Sequence, residues 1–148
     1  MATYYSTEYT ASLTIKGSTM GNGLEDQVVK KFYTVSLPAT ATADELIYVT
    51  PQLPVGVTVI PWESYVACSA DPGAGACAID VGIVAEDDLA TLIDLSSGGK
   101  VDFDGVACIT TTTAKRYVIA KLETLSSASV GAVTLTFCIA FIGANPSS

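Results

Sequence analysis

The sequence predicts an all-β fold, a jelly-roll-like antiparallel β-sandwich with an extended N-terminal arm and at most one short helix. Three observations carry that expectation. Runs of aromatic and β-branched residues recur every 8–15 residues, punctuated by Pro and Gly, which makes seven or eight strands. The final run, Ala132 to Ile142, alternates without a break. The chain is 49% hydrophobic and 15% charged over 148 residues, enough for a core without metal or disulfide staples. No helix–strand alternation of the kind that builds a parallel sheet is present, and no internal repeat. The expected organisation is an arm and linker over 1–31, a sandwich over 32–143 and a short tail over 144–148.

Residues 1–31 are rich in Thr, Ser, Tyr and Gly, with weak apolar periodicity and a glycine-rich stretch from Gly17 to Gly23. Tyr4, Tyr5 and Tyr9 stand out in this polar segment. Tyrosine offers large contact area at low entropic cost, which suits an arm that docks on a partner; the plainer reading is a first strand followed by a loop. Phe32–Leu37 is the first clear strand, stopped by Pro38, and Leu46–Thr50 the second, stopped by Pro51. Val57–Ile60 follows, then Pro61, after which Trp62–Ala70 continues as a strand with a bend, bulge or edge at the proline. Past Gly73-Ala74-Gly75, Ala76–Val84 sets Ile79, Val81 and Ile83 on one face.

Glu86–Asp94 is the one stretch with helical character, because Leu89, Leu92 and Ile93 recur at helical spacing behind Glu86-Asp87-Asp88. Strands resume at Val101–Thr110, Tyr117–Thr124 and Ala132–Ile142. The last has Val133, Leu135, Phe137, Ile139 and Phe141 on one face. Its other face (Thr134, Thr136, Cys138, Ala140) is small and fairly apolar, which marks a central strand.

Seven basic residues against 15 acidic ones give a net charge of −8, which repels phosphate backbones and argues against nucleic-acid binding. No run of 18 apolar residues exists to span a membrane, and Met1–Ser6 lacks the basic and apolar regions of a secretory signal. The sequence contains no histidine, which removes Ser-His-Asp and Cys-His catalysis, His-bearing zinc sites and the usual neutral-pH base. Cys68, Cys77, Cys108 and Cys138 form no C-x-x-C pair. Cys108 and Cys138 lie in apolar runs as small hydrophobes, and Cys68 and Cys77 flank a turn across which a disulfide is thinkable, although the absent export signal favours thiols.

Glu86-Asp87-Asp88 and Asp102-Phe103-Asp104-Gly105 are the densest acidic groups, but the second lacks the later ligands of a calcium loop. They are expected to be a helix start and a solvated loop. Trp62, beside Pro61, is expected to pack in the core rather than to stack on a sugar. The run Thr110–Thr113 before Lys115-Arg116 reads as a polar loop entering a strand. No catalytic, cofactor or metal site is expected, and the chain is expected not to be an enzyme.

The overall pattern resembles the small jelly-roll virion proteins of tailed bacteriophages, the head decoration (cement) proteins and their structural relatives. The resemblance rests on the polar start Met1–Ser6, the strand Phe32-Tyr33-Thr34-Val35 and the step Leu53-Pro54-Val55-Gly56-Val57. It also takes in Ala78–Ile83 leading into an acidic turn, and the closing strand Gly131–Thr136. It implies a structural protein, made in the host cytoplasm, that sits on the outside of the expanded head. There it binds the major capsid protein, as a trimer in most such proteins, with no nucleic acid or membrane partner. It makes Tyr4, Tyr5 and Tyr9 the candidate capsid contacts. The alternative is a head-fibre or tail adhesin that binds a host receptor or glycan through sandwich loops.

Overall fold

The computed structural model describes residues 3–7, 28–38, 41–69, 77–95, 99–125 and 133–142, with the side chains of residues 77, 124 and 125 left out of the description. Two sheets face each other across one core. The first runs in the order β1 (Thr3–Tyr5), β3 (Leu46–Tyr48), β10 (Ile119–Leu125), β6 (Cys77–Gly82) and β7 (Ala90–Asp94). The second is built around β11 (Val133–Ile142), which pairs along its whole length with β2 (Val28–Leu37). On its other side β11 takes β4 (Thr58–Val59) and β5 (Tyr65–Cys68), and these pair in turn with β9 (Ile109–Thr110) and β8 (Gly99–Asp102). Among the described residues every pairing is antiparallel except that of β1 with β3, which is parallel. The expected all-β sandwich is the observed architecture.

The alternation of β11 explains its central place. Val133, Leu135, Phe137, Ile139 and Phe141 are buried against Ile47, Ile79, Val81, Ala120 and Leu122 of the first sheet. Tyr33 of β2 adds an edge-on ring contact to Phe141, with centroids 6.4 Å apart. Cys138 and Ala140, on the opposite face, are also buried, and β11 has partners on both edges, which makes it the central strand expected.

Several elements differ from expectation for identifiable reasons. The strand expected over Trp62–Ala70 is a 3-10 turn at Pro61–Glu63 followed by β5. Pro61 lacks the N–H a ladder needs, so the chain turns there and re-enters the same column beside β11. Trp62 does not pack in the core but is 55% exposed on that turn. The expected strand Val101–Thr110 is broken in the same way into β8 and β9, because its neighbours β5 and β4 are themselves separated. The residues between carry Gly105, whose backbone lies so close to Leu89 O and the Pro61 ring that a Cβ would clash with both. Cys108, expected in an apolar strand, is exposed there.

Glu86–Asp94 is not helical: it is a turn followed by β7. Asp88 accepts hydrogen bonds from the backbone N–H groups of Ile83, Val84 and Ala85 at 2.9, 3.0 and 2.9 Å, so its carboxylate pins the preceding loop rather than capping a helix. Leu89 and Ile93 are buried while Leu92 points out, a split that a strand with a bulge produces. Within the segment expected as an arm and linker, residues 3–5 are β1 and residues 28–31 are the first part of β2. Cys68 is buried in β5, while the side chain of Cys77, with which a disulfide is thinkable although thiols are favoured, and the Gly73–Gly75 turn fall outside the described residues.

Candidate functional site

The three tyrosines expected to contact a partner have different fates. Tyr4 turns inward, packs against the core and donates a hydrogen bond from its hydroxyl to Glu45 Oε1 at 2.7 Å. The same buried oxygen accepts the N–H of Thr42 at 2.8 Å. Burial first, and then the hydrogen bond and charge of Glu45, push the Tyr4 phenol up to about 12. Tyr4 therefore ties β1 to the turn before β3. Tyr5, the next residue on a strand, faces the other way and is 47% exposed. Tyr9 lies outside the described residues.

Tyr5 leads to a surface that reading along the chain did not reveal. Its ring lies 5.5 Å from that of Tyr48, which in turn meets Tyr117 edge-on at 5.4 Å. The three belong to β1, β3 and the approach to β10, on the outward face of the first sheet. Register places Tyr5, Tyr48, Ile119 and Gly82 in one row across four strands. At the Ile119–Gly82 end of that row is a groove of about 180 Å³, lined by Leu46, Ile119, Val84, Glu86, Lys115 and Lys121 among others.

Local sequence builds this groove. A Cβ at Gly82 would collide with the Ala85 carbonyl oxygen, so only glycine lets the 83–86 loop fold back over the strand end. Asp88 then fixes the loop through its three N–H groups. Lys121 spans the rim, 3.0 Å from Glu123 Oε1 and 3.3 Å from Glu86 Oε2. These carboxylates, Glu123 foremost, raise its pKa and hold it charged. On the far side of β10, Asp80 is buried, accepts the Leu92 N–H at 2.7 Å, and has its pKa raised by burial and by the nearby Glu123 and Asp87.

The remaining polar segments serve the fold. Thr111 donates to Pro54 O at 2.7 Å and accepts from Val57 N at 3.0 Å, and Arg116 Nε donates to Leu53 O at 2.6 Å, so the threonine loop is stitched to residues 53–57. Asp104 accepts the Thr91 N–H at 2.8 Å. Among the described residues no group of three or more His, Cys, Asp or Glu side chains could hold a metal ion. No helix among them is long and apolar enough to cross a membrane.

No protein-family model matches the chain, and no curated protein matches it in sequence. Solved structures do. The chain superposes on a chain of the capsid of Ralstonia phage GP4 with a TM-score of 0.71 at 14% identity, over 97% of this chain and 99% of that one. It also superposes on a chain of the cyanophage Pam1 capsid asymmetric unit with a TM-score of 0.60 at 16% identity, over 87% of this chain and 95% of that one. At these identities the likeness is one of fold: this sandwich is a fold also found in the capsids of two phages.

Proposed function

We propose that the chain is a structural virion protein that attaches to the outer surface of a tailed-phage head and stabilises its expanded lattice. The observation that carries this reading is the near end-to-end superposition on a chain of the Ralstonia phage GP4 capsid. Because that chain is spanned almost completely, the likeness is to a whole capsid component of similar size rather than to part of a larger one. The acidic, histidine-free composition fits a protein whose task is adhesion. A ligand that binds only the expanded lattice stabilises it by its binding free energy, about 2.7 kcal/mol per site at a hundredfold excess over Kd. Its partner in this reading is the major capsid protein, and Tyr5 and Tyr9 are its candidate anchors. Tyr4 supports the strand that presents Tyr5.

Co-sedimentation of the purified protein with expanded heads that lack it, with unexpanded procapsids as control, tests the proposal. Saturable binding to expanded heads alone is the expected result. Absence of binding to either particle would sink it. The exposed Trp62 favours one second reading, an adhesin that stacks a glycan on that ring. Quenching of Trp62 fluorescence together with a rise in Tm on adding sugar would support it.

A further inference from the structure

Each of the two sheets has an outward face. On the β2–β11 face, Phe32 and Trp62 are exposed, and the ion pairs there among the described residues are internal, Lys30 with Glu63 and Lys100 with Asp102. The face of the first sheet has a concavity beside an aromatic ridge. Its elements are the Tyr5–Tyr48–Tyr117 cluster, the groove over Leu46 and Ile119, and a wall at Val84, which is 48% exposed. Lys115 and Lys121 stand at its rim, two of only seven basic residues in a chain of net charge −8.

We propose that this groove and the tyrosine ridge form the docking surface, and that the occupant is an extended segment of a lattice protein carrying a bulky apolar side chain next to a carboxylate. The inference rests on the head-attachment reading above and adds to it a face and a ligand chemistry. The apolar side chain enters between Leu46, Ile119 and Val84, and its backbone lies along the tyrosines, whose rings give contact area. Lys121 is already held by Glu86 and Glu123, so the partner's carboxylate pairs with Lys115, an exposed side chain on the groove rim. Two devices hold the site open before binding, the missing Cβ at Gly82 and the Asp88 clamp on the 83–85 loop. Such preorganisation lowers the entropic cost of docking.

The test measures the affinity of full-length variants for expanded heads, with thermal melting as the check on folding. Val84→Asp and Lys115→Glu change exposed loop residues, and Tyr5→Ala trims an exposed ring. Each is expected to weaken binding by about tenfold or more, at unchanged Tm for the two loop variants and with a small fall in Tm for Tyr5→Ala, which loses its contact with Tyr48. Phe32→Glu and Trp62→Glu, on the other face, are expected to bind within about twofold of the wild type. Undiminished binding by Val84→Asp and Lys115→Glu overturns the inference, as does a large loss confined to Phe32→Glu and Trp62→Glu. Sedimentation of the free chain covers the remaining occupant: an oligomer that Val84→Asp converts to monomer means the groove holds a second copy, which also overturns it. Failure of the wild type to bind heads is distinct from these outcomes, because it removes the attachment reading itself and this inference with it.

Discussion

Leu92 holds a left-handed backbone, φ 48°, at the point where β7 has two residues opposite one of β6. For an L-residue with a Cβ that conformation costs about 1–2 kcal/mol, and Leu92 recovers little by burial because its side chain is 54% exposed. What holds it is Asp80, whose Oδ1 accepts its N–H at 2.7 Å. Leu92→Gly relieves the strain but adds unfolded-state entropy, so the expected net gain is about 0.5 kcal/mol in chemical denaturation. Leu92→Val, β-branched at the same φ, is expected to lose about 1 kcal/mol or more; equal stability of the two variants would show that the bulge is unstrained. Asp80 itself carries a pH dependence. Its folded pKa is raised above the ordinary 3.8, chiefly by burial, with Glu123 and Asp87 adding to the shift. The contribution is therefore present below the ordinary value and is lost as pH rises through the folded one. Asp80→Asn keeps an oxygen for Leu92 and removes the charge. It is expected to raise Tm at pH 7 by about 2 °C and to flatten the decline of Tm as pH rises from 4 towards neutrality. A wild-type slope kept intact in Asp80→Asn would assign that decline to other carboxylates.

The interruption between β4 and β5 leaves a gap in the ladder opposite β11, and one hydroxyl fills it. Ser64, buried, donates to Ile60 O at 2.8 Å and accepts the Ala140 N–H at 3.0 Å. Ser64→Ala leaves the Ala140 N–H buried without that partner, a loss of about 2 kcal/mol. Native-state hydrogen exchange should show the Ala140 amide deprotected more than those of Phe137 and Cys138, whereas uniform protection along β11 would contradict this role. Pro61 announced the interruption in the sequence, but its form was not legible. A bent strand and a turn that re-enters the same column share one residue pattern, and the contact that sets the turn against β11, Ser64 with Ala140, joins residues 76 positions apart. The segment Glu86–Asp94 shows the same limit: the spacing of Leu89, Leu92 and Ile93 fits a helix, and only the Asp88 clamp and the Asp80 contact make it a turn and a bulged strand. The long alternating strand was legible because each of its residues reports its own burial. The candidate groove was not, since Leu46, Val84 and the Lys115–Ile119 stretch come from three separate segments and meet only through the order β3, β10, β6.

At the scale of the whole chain, closure depends on the last strand. β11 pairs with β2 over ten residues, joining positions 28–37 to 133–142, and on its other side it takes both β4 and β5. It also supplies Phe137 and Phe141, the largest fully buried side chains among the described residues. The second sheet cannot form before nearly the entire chain is present, and the first sheet alone would leave Ile47, Ile79, Val81 and Leu122 facing water. Loop closure over such separations is slow, and all-β domains dominated by non-local pairing refold in about milliseconds to seconds. Trp62, the single tryptophan, sits beside the β4–β5 interruption and reports the event. Stopped-flow refolding is expected to show its main phase in that range. A chain truncated after residue 132 is expected to give no cooperative melt. A truncated chain that melts cooperatively, or a full chain that refolds wholly within microseconds, would mean the first sheet folds on its own. The same topology bears on function. A sandwich closed by its final strand places the Tyr5–Tyr48–Tyr117 ridge on a sheet whose far side is sealed by β11. Under the proposed attachment the outward face of that sheet receives a partner without refolding, and head affinity in strand-destabilised variants such as Ser64→Ala should fall only as their folded fraction does.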